Sequence, residues 1–524
     1  PAGGVTGPLV YVGKGYLHEL EGKPVDGGIL LMDLESGKRW IQAVELGAKA
    51  VVFIGGEEAV RDEFELKLLD TVPLNFPRFY VPPETGQQLL ELLEKGEVTV
   101  NVKSTMHWET VRATNIIGYV KGEDPDLYVL LTAHYDSFSY VPSLAPGAEE
   151  ALGVSTLLEL ARIYAQQPAK HTLVFVAFSG TDLGLHGSRW FVKDWVEGKW
   201  SGFGEKIVLQ INLDLSSESP TPVPTNGGCY YTMLESVGEG WVPSFTQYFW
   251  PLTENIQKQL GKDWKISKDP MATMLAWHGI SSWRVYGGGF LPPLDHEPLT
   301  NINGPGISLT TAAAWRTHWG TPYDTPEKIN PDNLKEQLEY DCSVIHALAN
   351  TDLRAGPVPI WRRMYNQEHG AKWVDVTGVI AEYDYQKGWY EPVPNAIVAY
   401  RMLSWWADVG AEKVLRGYMS DVSLWAYTTS DSKGRVFIPG LANSMRLGLW
   451  TLLAFVVDPE TGNVVYAPDM GKYHFIDEVT ELNLLLHPHD FGYYTVFKCG
   501  SIVLFRAVDP AFMNVDEGAT LRWV

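Results

Sequence analysis

Three apolar runs in the middle of the chain constrain the fold more than any other feature. They read LYVLLTAHYD (127–136), HTLVFVAFSG (171–180) and KIVLQINLDL (206–215), and each is almost continuously hydrophobic. A strand of this composition is covered on both faces, which is typical of a parallel sheet. Helical patterns lie between and after the runs, notably over 149–167 and 331–351. We therefore expect an α/β domain over residues 105–353, with a mostly parallel sheet and helices on both faces.

Polar side chains follow each of these strands at the point where the strand ends. His134 and Asp136 end the first run, Thr181 and Asp182 follow the second, and Asp214 lies near the end of the third. In an open α/β sheet the carboxyl ends of the strands form the edge where active sites lie. Further candidates for the same edge are Glu149, Glu150, His318 and Asp324.

Two histidines and three carboxylates at one edge are a ligand set for a borderline divalent metal such as zinc. Two metal ions about 3.5–4 Å apart need a carboxylate that bridges them. An oxygen-rich site also suits Ca²⁺, but the two histidines favour zinc over calcium. A single acid at a strand end is more often a turn or a helix cap, so the prediction depends on the whole set. The sequence predicts one or two Zn²⁺ ions and leaves their number open.

The order of these motifs resembles that of the co-catalytic zinc exopeptidases, a family that includes bacterial aminopeptidases, glutamate carboxypeptidase and the transferrin receptor. The motifs read AHYDS, PGAEEALGVSTLLELAR, FVAFSGTDLGLHGS, INLD, PLDHEPL and HWGTPYDTPEKI. The resemblance implies that the metal ligands are His134, Glu150, Asp182, Asp214 and His318. Glu150 stands at the position of the carboxylate that bridges the two metals.

The resemblance also implies roles for residues that do not bind metal. Asp136 is expected to hold the ligand His134 in place. Asp295 and His296 correspond to a motif at the rim of the substrate pocket. Thr181 stands where the family has the glutamate that serves as general base.

Three of these positions depart from the family pattern. Glu150 is one methylene longer than the family's aspartate, and Asp182 is one methylene shorter than its glutamate. The third departure is Thr181, because a threonine hydroxyl does not take up a proton near neutral pH. General base catalysis contributes about 10²–10⁴-fold to rate. The neighbouring Glu149 replaces the missing base only if the start of its helix points it inward.

The regions on either side of the α/β domain differ from it in their pattern of predicted strands and helices. Residues 1–104 alternate strands and helices without a metal-ligand set, and they resemble a protease-associated domain. A linker is expected at RAGPVP (354–359). Residues 357–524 read as strands and tight turns, including the hairpin signal DPETGN (458–463). They predict a β-sandwich that resembles the transthyretin-like domain of some carboxypeptidases. We interpret HPHD (487–490) as a turn rather than a metal cluster.

Composition excludes some function classes. The formal net charge of −22 argues against nucleic acid as a partner. No apolar run reaches the ~18 residues of a membrane span. The chain contains 20 Trp and 25 Tyr residues, and aromatic side chains are enriched at protein interfaces. We expect an extracellular or cell-surface protein that forms a homo-oligomer or larger assembly, with a peptide as a compatible ligand.

Two functions remain open at this point. In the first, the chain is a catalytically impaired, metal-binding homologue that acts as a structural, self-assembling or binding protein. In the second, it is an active zinc-dependent aminopeptidase or carboxypeptidase with a rearranged metal site. Thr181 favours the first, and the complete set of histidine and carboxylate positions favours the second.

Overall fold

A computed structural model describes residues 3–506. The ranges it leaves out within these limits are 57–58, 69–75, 105–108, 197–198, 201, 226–241, 267–292, 302–303, 354–372, 385, 405–425, 443–447, 458–463, 467–479, 487–492 and 499–500. The expected linker at 354–359 and the HPHD turn lie outside the described residues, as does most of the stretch WWADVGAEKVLRGYMSDVSLWAY (405–427), which is rich in aromatic residues.

The N-terminal region is built around a five-stranded sheet. Its elements are β1 (Val5–Tyr11), α1 (Leu17–Leu20), β2 (Ile29–Asp33), α2 (Trp40–Glu45), β3 (Ala50–Ile54), α3 (Arg61–Glu65), β4 (Arg78–Val81), α4 (Pro83–Glu94) and β5 (Thr99–Val102). The strand order is β4-β3-β2-β1-β5, and only the β1–β5 pair is antiparallel. Apolar residues of β2 and β3 alternate between the two faces, and one face packs on α2 and α3 while the other packs on α4.

The middle region contains the expected parallel sheet. Its elements are β6 (Ile116–Val120), β7 (Asp124–His134), α5 (Ala151–Gln166), β8 (His171–Phe178), α6 (His186–Val196), β9 (Ile207–Asp214), β10 (Pro222–Thr225), α7 (Val242–Leu260), α8 (Glu297–Asn301), β11 (Gly306–Thr311) and α9 (Pro331–Asn350). The order is β10-β11-β9-β7-β8-β6. The four central strands are parallel, and the edge strands β10 and β6 run antiparallel to their neighbours.

Both faces of this sheet are covered, as the continuous apolar runs predict. On β7, Val129 and Leu131 face the cluster that contains α5, α7 and α9. Leu130 faces the opposite cluster, which contains α6 and α8. Because successive side chains of a strand alternate between faces, a strand buried on both sides must be apolar throughout. The α/β prediction for the middle region is confirmed.

The described residues beyond 372 form strands only. They are β12 (Trp373–Asp384), β13 (Trp389–Pro392), β14 (Ile397–Ser404), β15 (Ala426–Thr429), β16 (Arg435–Ala442), β17 (Gly448–Val457), β18 (Val464–Tyr466), β19 (Thr480–Leu486), β20 (Tyr493–Lys498) and β21 (Ser501–Arg506). One sheet has the order β13-β12-β19-β21-β20, with β16 also on β12, and the other has the order β15-β14-β17-β18. β17 and β18 pair antiparallel on either side of DPETGN, as a hairpin requires.

The resemblances of the two outer regions to known modules remain predictions. The first C-terminal sheet is mixed, because β12, β19 and β21 run parallel to one another. Parallel neighbours need crossover connections rather than hairpins. No helix in the described ranges is long and apolar enough to cross a membrane.

The N-terminal region contacts the middle region beside the predicted site. The Arg61 backbone N–H donates to the Thr317 carbonyl at 2.7 Å. The Tyr323 hydroxyl donates to the Gly56 carbonyl at 2.6 Å and lies 3.0 Å from the hydroxyl of Tyr80. Because Thr317 precedes His318, these contacts fix one wall of the site against the N-terminal sheet.

Candidate metal centre

The fold brings four of the predicted metal ligands to one edge of the parallel sheet. His134 is the last residue of β7 and Asp214 the last residue of β9, which is the neighbouring strand. Glu150 is the N-cap residue of α5, and Asp182 lies in the loop between β8 and α6. All four side chains are buried. The order of strand ends in the sequence predicted that these residues meet at one edge, and the resemblance selected these four among the candidates.

His134 lies between two of the acidic side chains. Its Nε2 is 3.9 Å from Asp214 Oδ1, and its Nδ1 is 3.7 Å from Glu150 Oε2. Nδ1 lies 2.9 Å from the backbone carbonyl of Asp136. A ring nitrogen that donates to a carbonyl leaves the other nitrogen free to bind a metal. His134 Nε2 is thus directed at Asp214.

Asp136 acts on two parts of the site. Its carbonyl, rather than its carboxylate, accepts from His134, since Asp136 Oδ1 is 3.9 Å from Nδ1. Its Oδ2 accepts from the backbone N–H groups of Gly180 at 2.7 Å and Thr181 at 3.2 Å. Asp136 therefore also fixes the loop that presents Asp182, which the sequence did not reveal.

The ionisation of the cluster reflects crowding of acids in a buried place. Burial opposes protonation of His134, but the carboxylates of Glu150, Asp214, Asp182 and Asp136 outweigh it and raise its pKa to about 9. Burial raises the pKa of Asp182 to about 7, although His134 partly offsets this. Burial and the neighbouring Asp182 also raise the pKa of Glu150 well above its usual range. A cation among these groups would stabilise their charged forms.

Arg316 places a guanidinium in the centre, and no sequence argument predicted it. Its Nη2 lies 2.9 Å from Asp214 Oδ2 and donates to the Asp214 carbonyl at 3.2 Å. The side chain is 4% exposed. Arg316 precedes His318 by two residues in a stretch without regular structure. No periodicity marks such a position, so no signal in the sequence could have identified it.

Thr181 is engaged with an acid on the far side of the loop. Its hydroxyl donates to Asp295 Oδ2 at 2.8 Å, and the Ser188 hydroxyl donates to Asp295 Oδ1 at 2.6 Å. Burial raises the pKa of Asp295 to about 6, and the hydrogen bond from Ser188 partly offsets it. Thr181 is 2% exposed.

Asp295 and His296, which the resemblance assigns to the rim of the substrate pocket, hold the neighbouring elements together. Both side chains are buried, at 1% and 0% exposed. Asp295 supports the Thr181 loop from within, and His296 Nδ1 lies 2.7 Å from the Ser308 hydroxyl on β11. The assignment of this pair to the rim of the substrate pocket stays a prediction. A motif identifies a position along the chain but does not say which way its side chains point.

His318 stands apart from the four clustered residues. It is only partly buried, and its ring centroid lies 6.4 Å from that of Tyr323. Burial, followed by the charge of Lys328, lowers its pKa. Over the described ranges it forms no ion pair with Glu150, Asp182 or Asp214 within 4.0 Å. Its role as the last ligand stays a prediction.

Comparison with known proteins identifies the region that carries this centre. Residues 115–344 match Peptidase family M28. The resemblance drawn from the motifs is thereby confirmed, and the middle region is related to the M28 zinc exopeptidases.

Individual relatives match only part of their own length. A Caenorhabditis elegans protein named glutamate carboxypeptidase 2 homolog is 29% identical over 257 residues, which are 45% of this chain and 30% of that protein. Aminopeptidase YwaD of Bacillus subtilis is 31% identical over 223 residues, which are 41% of this chain and 45% of that protein. The chain thus spans less than half the length of these relatives. The solved structure of BSAP, a zinc aminopeptidase from Bacillus subtilis, aligns over 70% of this chain and 80% of its own at 20% identity and a TM-score of 0.37.

The residue types of the cluster suit a metal ion, but the distances between their atoms are longer than a bound metal requires. Asp182 Oδ2 is buried and has no hydrogen-bond partner among the described residues, and such an oxygen is suited to a cation. Ligand atoms around one tetrahedral zinc lie about 3.3 Å apart, given bonds of about 2.0–2.1 Å. His134 Nε2 and Asp214 Oδ1 are 3.9 Å apart. Within the described ranges no three His, Cys, Asp or Glu side chains converge tightly enough to hold one metal.

Proposed function

We propose that this chain is a metal-binding relative of the M28 exopeptidases that hydrolyses peptides poorly and acts mainly by binding. The observation that carries this proposal is the state of Thr181. Its hydroxyl, at the position where the resemblance expects the general base, is buried and donates a hydrogen bond to Asp295. A neutral hydroxyl is too weak a base to take up a proton from water near neutral pH.

The neighbouring acid is held away from that task. The Glu149 carboxylate accepts from the backbone N–H of Ser217 at 3.1 and 3.0 Å, and from the Ser217 hydroxyl. Its own backbone N–H donates to Asp324 Oδ1 at 2.9 Å. A carboxylate that accepts several hydrogen bonds in a buried place is stabilised where it lies. These contacts support the view that Glu149 does not replace the missing base.

Metal binding in this proposal uses the clustered residues. His134, Asp214, Glu150 and Asp182 would hold a zinc ion, with His318 as a further ligand if its turn moves inward. A bound zinc ion supplies Lewis-acid chemistry. The residues of the chain would orient a peptide's terminal group at the edge of the sheet and exclude water. Without a general base, the rate of peptide hydrolysis should be lower by about 10²–10⁴-fold.

The wider role that we propose is structural or binding, at the cell surface or outside the cell, in a homo-oligomer. Its support is the number of aromatic residues, of which Tyr119, Trp315 and Trp389 are strongly exposed. Exposed aromatic side chains are enriched at interfaces. Light scattering coupled to gel filtration tests the oligomer. A monomer at all concentrations would remove this part of the proposal and leave the metal centre unaffected.

One observation favours active hydrolysis as the second candidate. Asp295 lies 2.8 Å from the Thr181 hydroxyl. A hydroxyl accepts one hydrogen bond while donating another, so Thr181 could pass a proton on to Asp295. In that case Asp295→Asn would abolish turnover. The burial of Thr181 argues against a water molecule reaching it.

Restoring the family's carboxylate separates the two candidates. We expect Thr181→Glu to hydrolyse aminoacyl-p-nitroanilides with added zinc at least 10²-fold faster than the unsubstituted protein, since it regains a general base. Thr181→Gln is the matched control, because it has nearly the same size without the charge. Circular dichroism confirms that each variant folds. Turnover by the unsubstituted protein that equals that of Thr181→Glu and is abolished by a chelator would refute the proposal.

A further inference from the structure

We propose that the Arg316 guanidinium takes the place of one of the two metal ions, so that this centre binds at most one. The inference rests on the proposed metal-binding centre but not on whether the centre hydrolyses peptides. It concerns a positive charge that the chain itself supplies beside Asp214, one of the candidate metal ligands.

The two carboxylate oxygens of Asp214 face different groups. Oδ2 forms an ion pair with Arg316, at 2.9 Å from Nη2. The hydrogen bond of Nη2 goes to the Asp214 carbonyl, at 3.2 Å. Oδ1 lies on the side of His134, 3.9 Å from Nε2. One oxygen is therefore left for a metal shared with His134, and the other already faces a positive charge.

The guanidinium is a fixed positive charge beside the candidate ligands. An arginine side chain stays protonated in proteins, and Arg316 is buried against Asp214. A buried charge is stable only when it is paired and hydrogen-bonded. A second dication beside this group would meet a fixed positive charge in a place of low dielectric constant.

The backbone around Arg316 holds the side chain in this position. Its φ is +49°, a left-handed conformation that costs a non-glycine residue free energy and persists only where surrounding contacts impose it. Its backbone N–H donates to Glu218 Oε2 at 2.8 Å, and the Thr317 N–H donates to Glu218 Oε1. Glu218 thus anchors the turn, so that the guanidinium is supplied by a fixed element rather than by a loose surface side chain.

A zinc titration of three variants tests the inference. Calorimetry with zinc chloride gives the stoichiometry, and metal analysis after gel filtration gives the zinc retained. We expect at most one zinc ion per chain for the unsubstituted protein and one more for Arg316→Gln, because Asp214 regains a free oxygen and the fixed charge is gone. Arg316→Lys keeps the charge and should bind as the unsubstituted protein does. Arg162→Gln is the surface control, since Arg162 pairs with Glu159 on the exposed face of α5.

Each outcome decides the inference. Two zinc ions in the unsubstituted protein, or equal stoichiometry in the unsubstituted protein and a folded Arg316→Gln, would overturn it. If Arg316→Gln does not fold, the number of zinc ions is counted instead in a crystal structure of the zinc-soaked unsubstituted protein, from anomalous data. Arg316 is then expected beside Asp214 with no more than one zinc, and displacement of Arg316 by a second zinc would overturn the inference. Hydrolysis by the unsubstituted protein would refute the proposed function without changing this count.

Discussion

Gly153 sets how closely helix α5 approaches strand β9, and replacing it with alanine tests that packing directly. A Cβ at this position would lie 2.4 Å from the Leu213 carbonyl oxygen and 3.2 Å from its carbonyl carbon. Leu213 precedes Asp214, and Glu150 lies one helical turn before Gly153. The substitution therefore presses on the backbone that positions both acids.

Two effects of opposite sign determine the expected change in stability. Alanine is a better helix former than glycine by up to about 1 kcal/mol. Against this, ordinary contact with a carbonyl oxygen needs well over 3 Å, so the helix must retreat by ~1 Å or strain its first turn, and overpacking of this kind costs about 1–3 kcal/mol. The obstacle is backbone, which has no alternative rotamer. We expect a net loss of about 1–2 kcal/mol, equivalent to a fall of about 2–8 °C in Tm for a domain of this size.

Differential scanning calorimetry measures this change and separates the transitions of different domains. Ser155→Ala is the matched control, because Ser155 is exposed on the same helix and alanine there should raise stability by about 0.5 kcal/mol or less. Zinc affinity should fall in Gly153→Ala, since the retreat of α5 moves Glu150 away from Asp214. A Tm for Gly153→Ala equal to or above that of the unsubstituted protein would refute the packing argument.

Two further predictions concern protons. Asp341 on α9 is buried, and within the described ranges neither carboxylate oxygen has a hydrogen-bond partner. Burial raises the pKa of this carboxyl well above its usual range, so the folded protein keeps the carboxyl proton at pH values where the unfolded chain has lost it. The free energy of unfolding therefore falls as pH rises above about 4. We expect Asp341→Asn to be more stable than the unsubstituted protein by about 1–3 kcal/mol at pH 8, and by much less at pH 5. Chemical denaturation measures both differences, and equal values at the two pH values would contradict the prediction. His134, with a pKa of about 9, is protonated at neutral pH without metal and must lose its proton to bind zinc; the apparent zinc affinity should rise up to about tenfold per pH unit from pH 6 to 8. Calorimetry in buffers of different ionisation enthalpy should show at least one proton released, because the pKa values of Asp182 and Glu150 are raised as well. Affinity that does not change with pH would contradict the assignment of His134 as a ligand.

Much of the fold could be predicted because its signals are local. Continuous apolar runs are characteristic of strands buried on both faces, and they located β7, β8 and β9 to within a few residues. The proline at position 331 marked the start of α9. In the structure the Asn330 side chain caps this helix by accepting from the N–H groups of Asp332 and Asn333. The parallel pairing of β12 with β19 had no such signal, because the pairing partner of a strand is set by contacts far along the chain.

In the candidate site, too, some features could be predicted from the sequence and others could not. Sequence order placed His134, Glu150, Asp182 and Asp214 at one edge, because strand ends in a parallel sheet share that edge. The assignment of Thr181 to the general-base position comes from the resemblance and stays a prediction.

Tertiary structure decided what these residues contact. It buried Asp295 under Thr181, bound Glu149 to Ser217 and left His318 apart from the clustered acids. It also brought Arg316 onto Asp214, across 102 positions of sequence. The physical reason is that periodicity reports which face a residue occupies, whereas hydrogen bonds and ion pairs depend on distances of a few ångströms between segments that only the packed fold brings together.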